Sequence, residues 1–233
     1  MSDQDLLIYA SYGLIKSGST FAFELTKRLF VQNGRAQPRL GDEAVTPGHR
    51  INFATKWDES HVAAMCAEAE ALATTAVIKT HARPRPAIVD LLESGRAIGH
   101  AVYRDPRDVA LSLLDAGEHA RAKQRKSFAD IRTLDDAMAD IDAHLENFRA
   151  WAALPGIRVV DYATLTADTA EFARGLAAQC GLPFDHDAAV ADVVANEFIQ
   201  FNKGVQNRHL TEMAGEESDR FLAHYADLYD AFF

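Results

Sequence analysis

The sequence has little of what marks several protein classes. Its only cysteines are Cys66 and Cys180 among 233 residues, and they form no CxxC pair, so we expect two reduced thiols and no disulfide framework. Basic residues number 24 against 34 acidic ones, a net charge of −10, which argues against nonspecific binding to nucleic acid. No apolar run approaches the roughly 20 residues that a membrane span needs.

The N-terminal residues lack the basic region and apolar run of a signal peptide, which favours a cytoplasmic location. Hydrophobic residues make up 48% of the chain and charged residues 25%, as in ordinary globular proteins. The length suits a single domain over residues 1–233. The sequence leaves the oligomeric state open, a homodimer included.

Apolar runs of strand length alternate with helical patterns along the chain. The pattern predicts strands over 6–9, 76–80, 97–103 and 157–161, and helices over 20–32, 62–72, 86–93, 106–115, 133–153, 166–180 and 216–232. This alternation predicts an α/β fold with a parallel sheet flanked by helices on both faces. Ligands of such sheets bind at the carboxyl ends of the strands, so residues that follow the apolar runs are candidates for a site.

A Ser/Gly-containing loop follows the first predicted strand and opens the first long helix. Its residues are Lys16, Ser17, Gly18, Ser19 and Thr20. Backbone N–H groups at a helix start attract anions, Gly18 permits close approach, and Lys16 adds a positive charge. A Walker A motif places its lysine directly after the last glycine, whereas this lysine precedes it. The loop predicts a phosphate site other than that of a nucleoside triphosphatase; a simple helix cap is the alternative.

Three further motifs stand at predicted strand ends. Lys79 and Thr80 end the second predicted strand and His81 follows it. Arg104 follows the third strand, with Ser112 about two helical turns later, and Tyr162 follows the fourth. Taken one by one, they also fit a structural histidine or charges at a helix start. Their common position predicts that they converge on one ligand.

These four motifs, in this order, resemble the cytosolic-type sulfotransferase family over roughly residues 6–230. The resemblance implies a P-loop NTPase-like sulfotransferase fold. It also implies roles for each motif: the loop at Lys16 would hold a 5′-phosphosulfate, and Lys79 and His81 would be catalytic. Arg104 and Ser112 would grip a 3′-phosphate, and Tyr162 would lie near the adenosine.

The sequence departs from the family pattern at several positions. Ile15 replaces the usual proline before the lysine, and Phe21 stands where a tryptophan often stacks on adenine. Lys203 and Gly204 match a C-terminal phosphate loop in which asparagines occupy positions 202 and 207. Arg208 is a candidate to replace the missing arginine of that loop.

The resemblance implies transfer of a sulfuryl group from 3′-phosphoadenosine 5′-phosphosulfate (PAPS) to a hydroxyl or amine of a small-molecule, lipid or carbohydrate acceptor, without a metal. His81 would be the base, and 3′,5′-adenosine bisphosphate would be the second product. A small-molecule kinase with a modified P-loop and a noncatalytic nucleotide-binding relative are the alternatives. The basic stretch 121–126 fits a solvated face better than a lid over the site.

Overall fold

The structure, a computed structural model, describes residues 6–196 and 205–233. Its elements in chain order are β1 (Ile8–Gly13), α1 (Ser19–Gln32), β2 (Phe53–Ala54), α2 (Glu59–Ala71), β3 (Ala76–Thr80), α3 (Pro86–Glu93), β4 (Ala97–Tyr103), α4 (Pro106–Ala122), α5 (Leu134–Ala152), β5 (Ile157–Asp161), α6 (Tyr162–Ala167), α7 (Thr169–Cys180), α8 (His186–Asn196), α9 (His209–Glu212), α10 (Gly215–His224) and α11 (Ala226–Phe232). They fall into two compact units. The first contains residues 6–103 and 145–196, the second residues 104–144 and 205–233.

The strands of the first unit form one five-stranded parallel sheet with the order β2-β3-β1-β4-β5. Every residue of β1 and of β3 is buried. Since side chains of a strand alternate between the two faces, complete burial means that both faces of the sheet are covered. Helix α1 packs against β1 and β3, and α3 against β4. The expected α/β fold with a parallel sheet flanked by helices is confirmed.

The central strand β1 is the point at which the strand order reverses. Ile8 of β1 pairs with Ala76 of β3 on one side and with Ala97 of β4 on the other. The chain builds the β3 side of the sheet first and then crosses β1 to build the β4 side. A crevice opens beyond the carboxyl end of the strand at such a reversal, and ligands of open α/β sheets bind there. The loop after β1 therefore occupies the position that the sequence predicted for the site.

Aromatic and branched side chains form the core of the first unit. Tyr9, Val77 and Val102 come from three neighbouring strands and pack with Phe30 of α1 and Phe172 of α7, all nearly inaccessible to solvent. Burying an apolar side chain of this size contributes about 1.5–3 kcal/mol. The strand ends are thereby fixed, and so is the start of each loop that follows a strand.

A buried polar network explains why β1 extends beyond its apolar stretch. His100 of β4 is 1% exposed, and its ring nitrogens lie 2.9 Å from the Ser11 hydroxyl and 3.1 Å from the Tyr9 hydroxyl. Burial, and then the charge of Arg158, lower the pKa of His100 to about 3, so the ring is neutral. Because His100 satisfies the buried Ser11 hydroxyl, a polar residue can lie inside the strand. The strand runs over Ile8–Gly13, and the predicted strand over 6–9 was wrong in its bounds.

Within the second unit, Asp105 links the first turn of α4 to the C-terminal helix. The Asp105 side chain accepts a hydrogen bond from the Arg107 N–H at 2.9 Å, so Asp105 is the N-cap of the helix. Its carboxylate also binds the Arg107 guanidinium at 2.7 Å and accepts from the Tyr229 hydroxyl of α11 at 2.8 Å. The C-terminal helix is therefore tied to the start of α4.

Several predicted helix bounds need correction. Helix α4 extends to Ala122 instead of ending at residue 115. The helix expected over 166–180 is two helices, because the chain bends at Asp168, whose side chain caps α7 by accepting from the Glu171 N–H. The helix expected over 216–232 is likewise divided at Tyr225 into α10 and α11. The two-residue β2 and the helices α8 and α9 were not predicted from the sequence. In the described ranges, no helix is both long and apolar enough to cross a membrane.

Candidate active site

The loop between β1 and α1 adopts a backbone that few residues tolerate. Lys16 has φ 60° and Gly18 has φ 77°, both in the left-handed region. For a residue with a side chain this conformation costs about 1–2 kcal/mol, and such strain collects at functional sites. A side chain at Gly18 would also press on Tyr162, whose ring carbon Cε2 would lie 3.0 Å from the added Cβ. Glycine is therefore required here, and the predicted loop and Tyr162 lie in contact.

The start of α1 presents backbone donors at this loop. The Phe21 and Ala22 N–H groups bond to the Gly18 carbonyl. The N–H groups of Ser19 and Thr20 meet no acceptor within residues 6–196 and 205–233. Donors of this kind, at the positive end of a helix dipole, form a ready anion site.

Ser17 stabilises the loop through hydrogen bonds to backbone carbonyls. Its side chain is completely buried, and its hydroxyl lies 2.5 Å from the Leu14 carbonyl and 3.2 Å from the Val102 carbonyl of β4. The Ser17 N–H donates to the Leu14 carbonyl as well. In this conformation Ser17 acts on the shape of the loop, and its direct contact with a ligand stays a prediction.

Lys79, the fourth residue of β3, reaches the loop from the neighbouring strand. Its side chain is 9% exposed and its ammonium group donates to the Thr20 hydroxyl at 2.7 Å. Burial lowers the pKa of Lys79 to about 8; the charge of Glu24 opposes the change, and the charge of Lys16 adds to it. Burial and the nearby charge of Lys16 both disfavour the charged form of Lys79. A bound anion at the loop would offset this positive charge and is therefore electrostatically favoured.

His81 follows β3 and is oriented by the loop's first carbonyl. Its Nδ1 lies 2.7 Å from the carbonyl oxygen of Gly13. A carbonyl can only accept, so Nδ1 carries the hydrogen, and in the neutral ring Nε2 then holds the lone pair. The structure thus fixes the tautomer in which Nε2 can take a proton.

Three side chains that the sequence did not assign hold the segment around His81. The Trp57 indole donates to the Thr80 hydroxyl at 3.2 Å, the Asn147 amide to the His81 carbonyl at 3.2 Å, and the Trp151 indole to the Ala82 carbonyl at 2.8 Å. The Trp57 side chain is completely buried. From the sequence one could expect only that a buried tryptophan finds an acceptor for its indole N–H, without knowing which acceptor.

The structure does not test two parts of the predicted site, Phe21 and the C-terminal loop. The Phe21 ring is 5% exposed and belongs to the hydrophobic core of the first unit, so its stacking on adenine stays a prediction. Lys203 and Gly204 lie outside the described residues.

In the second unit, Arg104 and Ser112 lie at the start of α4, both nearly buried. The guanidinium of Arg104 donates through Nη2 to the Val205 carbonyl at 2.8 Å and lies 3.3 Å from the Asp108 carboxylate. Arg104 precedes α4 by two residues, whereas Asp108 and Ser112 lie four residues apart on one face of the helix. Because Asp108 contacts Arg104, both predicted 3′-phosphate ligands lie beside this carboxylate.

Arg208 is held by two carboxylates in the same unit. Its Nη2 lies 2.6 Å from Glu212 and its Nη1 2.9 Å from Asp115. These bonds raise the pKa of Arg208 above its usual value, the largest effect coming from Glu212. The guanidinium of Arg208 is thus engaged by acidic partners in this conformation, and its role as a replacement for the missing arginine stays a prediction.

Two further sequence expectations concern metals and the basic stretch. Across the part of the chain that the structure describes, no group of three or more His, Cys, Asp or Glu side chains could hold a metal ion. Lys123, Arg125 and Lys126 are exposed, and Arg121 donates to the carbonyls of residues 129 and 131. The stretch therefore fits the solvated face that its composition favours.

The sequence matches the model of a protein family described as Sulfotransferase domain over residues 3–224. No curated protein matches it. Among solved structures, the fold is similar to that of mouse sulfotransferase SULT7A1 complexed with PAP, with 13% identity, a TM-score of 0.60, and coverage of 96% of this chain and 84% of the mouse chain. It is also similar to retinol dehydratase in a complex with retinol and PAP (13% identity, TM-score 0.54, 96% and 81% coverage) and with androsterone and PAP (14%, 0.54, 96% and 80%). At these identities the likeness concerns the fold.

Proposed function

Because the chain belongs to the sulfotransferase domain family, we propose that it transfers a sulfuryl group from PAPS to a hydroxyl or amine of a small-molecule acceptor. The observation that carries the proposal is the bond from His81 Nδ1 to the Gly13 carbonyl. This bond holds His81 at the same strand ends as the loop at Lys16 and leaves Nε2 as the ring nitrogen without a hydrogen, which supports a role as base.

The loop at Lys16 has the chemistry that the 5′ side of the donor requires. The N–H groups of Ser19 and Thr20 at the start of α1 and the glycine at position 18 suit an anionic group with several oxygen acceptors. Tyr162 packs against Gly18 and is our candidate for contact with the adenosine. Bound PAPS supplies the sulfuryl group, and its 5′-phosphate is the leaving group.

Lys16 and Lys79 supply positive charge where negative charge develops. As the bond from sulfur to the phosphate oxygen breaks, its electron pair stays on the phosphate, and we assign Lys16 to neutralise it. Lys79, held at Thr20, orients the sulfuryl oxygens. Fixed charges in a partly dry site act without the reorganisation that water would need.

His81 is assigned as the general base. Its Nε2 takes the proton of the acceptor hydroxyl or amine while the acceptor atom bonds to sulfur, and the proton then passes to solvent. The products are the sulfated acceptor and 3′,5′-adenosine bisphosphate. Asn147 and Trp151 keep the base in place by donating to the backbone carbonyls of His81 and of Ala82, the residue after it.

Arg104 and Ser112 are assigned to the 3′-phosphate, with Lys203 and Gly204 as further candidates. An arginine suits a phosphate dianion because its planar guanidinium offers paired donors. Solved relatives hold PAP together with retinol or androsterone, which supports a small-molecule acceptor. A kinase is disfavoured because the loop's lysine precedes the glycine.

Turnover tests the proposal directly. The purified protein is incubated with PAPS and a panel of phenols, alcohols and amines, and mass spectrometry follows the gain of one sulfuryl group and the formation of 3′,5′-adenosine bisphosphate. The His81→Asn variant is the matched control, because asparagine retains a donor for the Gly13 carbonyl. Phosphorylated products with Mg-ATP, and none from PAPS, would establish the kinase alternative instead.

A further inference from the structure

A buried carboxylate lies between the two residues assigned to the 3′-phosphate. Asp108 is 3% exposed and stands four residues after Arg104 and four before Ser112. A carboxylate at this point would repel a phosphate unless its charge were compensated, and an isolated buried charge is costly in any case. The donors that surround Asp108 therefore matter for the site.

The compensation comes from both ends of the second unit. One oxygen of Asp108, Oδ2, lies 3.3 Å from Nη2 of Arg104. The other, Oδ1, accepts from the backbone N–H of His209 at 3.1 Å and from its ring Nδ1 at 2.9 Å. His209 is itself 6% exposed. Both carboxylate oxygens are therefore engaged, Oδ2 by Arg104 and Oδ1 by His209. His209 belongs to the C-terminal segment, which we define as residues 205–212.

The C-terminal segment also reaches Arg104 directly. The Val205 carbonyl accepts from Arg104 Nη2 at 2.8 Å. Further along, Arg208 binds Asp115, which is seven residues after Asp108 and on the same face of α4. The segment is thus joined to α4 at two levels, and the orientation of Arg104 depends on it through Val205 and through Asp108.

We infer that Asp108 and His209 are positioning residues for the donor's 3′-phosphate: they fasten the C-terminal segment to α4 and so hold Arg104 in its binding orientation. The inference rests on the proposed function, since it takes Arg104 as a 3′-phosphate ligand. The coupling is reciprocal. If the docked segment increases the affinity for the 3′-phosphate, a bound 3′-phosphate stabilises the docked segment by the same free energy.

The test compares two nucleotides by titration calorimetry, 3′,5′-adenosine bisphosphate and adenosine 5′-monophosphate, which differ in the 3′-phosphate. The affinity ratio of the two isolates the 3′ side from any general loss of binding. His209→Ala should lower this ratio by about tenfold, as expected for the loss of a hydrogen bond to a charged group. His209→Asn, whose amide retains a donor at the position of Nδ1, should keep the ratio within about threefold of wild type.

Leu210→Ala is the matched control, because this neighbouring side chain is 73% exposed. An unchanged ratio in folded His209→Ala would overturn the inference while leaving the proposed function in place. A wild-type protein that binds both nucleotides equally would overturn the assignment of Arg104, and with it the inference.

If His209→Ala does not fold, hydrogen exchange on the wild-type protein decides. The bisphosphate should slow exchange in residues 205–212 more than the monophosphate does, at equal saturation. Equal protection by both nucleotides would contradict the coupling.

Discussion

The replacement of Lys79 by methionine should stabilise the protein while it abolishes turnover. Lys79 carries a charge that its surroundings disfavour, since burial lowers its pKa from an ordinary 10.5 to about 8. Methionine has a similar length, is uncharged and tolerates irregular apolar surroundings. The variant removes the charge without leaving a large cavity.

The size of the effect follows from the pKa. A lysine with these two values costs the folded state about 3 kcal/mol at pH 7, where the ammonium is charged in both states. Between pH 8 and 10.5 the folded protein loses the proton first, so the cost falls to about 1.4 kcal/mol at pH 9.5. Loss of the bond from Lys79 to the Thr20 hydroxyl offsets about 1 kcal/mol of this gain. We expect a net stabilisation of about 2 kcal/mol at pH 7 that nearly vanishes at pH 9.5.

Urea unfolding of both proteins at several pH values measures the difference. Lys56→Met is the control, because the Lys56 side chain is 55% exposed and its removal should change stability by less than about 0.5 kcal/mol at any pH. A Lys79→Met protein that is less stable than wild type at pH 7, with a difference independent of pH, would refute the account of Lys79 as a strained charge.

Two other substitutions probe the loop and the support of the base. Gly18→Ala should weaken binding of 3′,5′-adenosine bisphosphate about tenfold, because the left-handed backbone and the Tyr162 ring both oppose a Cβ; calorimetric affinity equal to wild type would show that the loop conformation is not needed. Trp151→Phe leaves the Ala82 carbonyl without its indole donor, at a cost of about 1–3 kcal/mol. Steady-state kinetics should show a lower kcat with little change in donor affinity, whereas unchanged kcat would remove Trp151 from the support of His81.

The strands β3, β4 and β5 were predictable from the sequence, and their bounds coincide with the predicted strands. Each is a short segment rich in apolar and β-branched residues, although each also contains a polar residue such as Lys79, His100 or Arg158. β1 was misjudged because Ser11 is polar yet buried, and its partner His100 is 89 residues away. Local sequence cannot show a polar residue whose partner is that distant.

The candidate site likewise contains residues that local sequence predicts and residues that depend on distant contacts. Lys16, Lys79 and His81 could be proposed from sequence because each lies near the carboxyl end of a strand, at the edge where ligands bind. The groups that fix His81 could not: Asn147 and Trp151 contact its segment from 66 and 69 residues away. The pairing of Asp108 with His209 spans 101 residues, and in sequence Asp108 is indistinguishable from a charge at a helix start.

The most direct test of the proposed mechanism is the turnover of His81→Asn with PAPS and an accepted substrate. The substituted amide retains a donor for the Gly13 carbonyl but has no counterpart of Nε2. We expect kcat to fall by about 10²–10⁴, while the affinity for 3′,5′-adenosine bisphosphate stays at the wild-type value. A variant that turns over at the wild-type rate would contradict the assignment of His81 as the base.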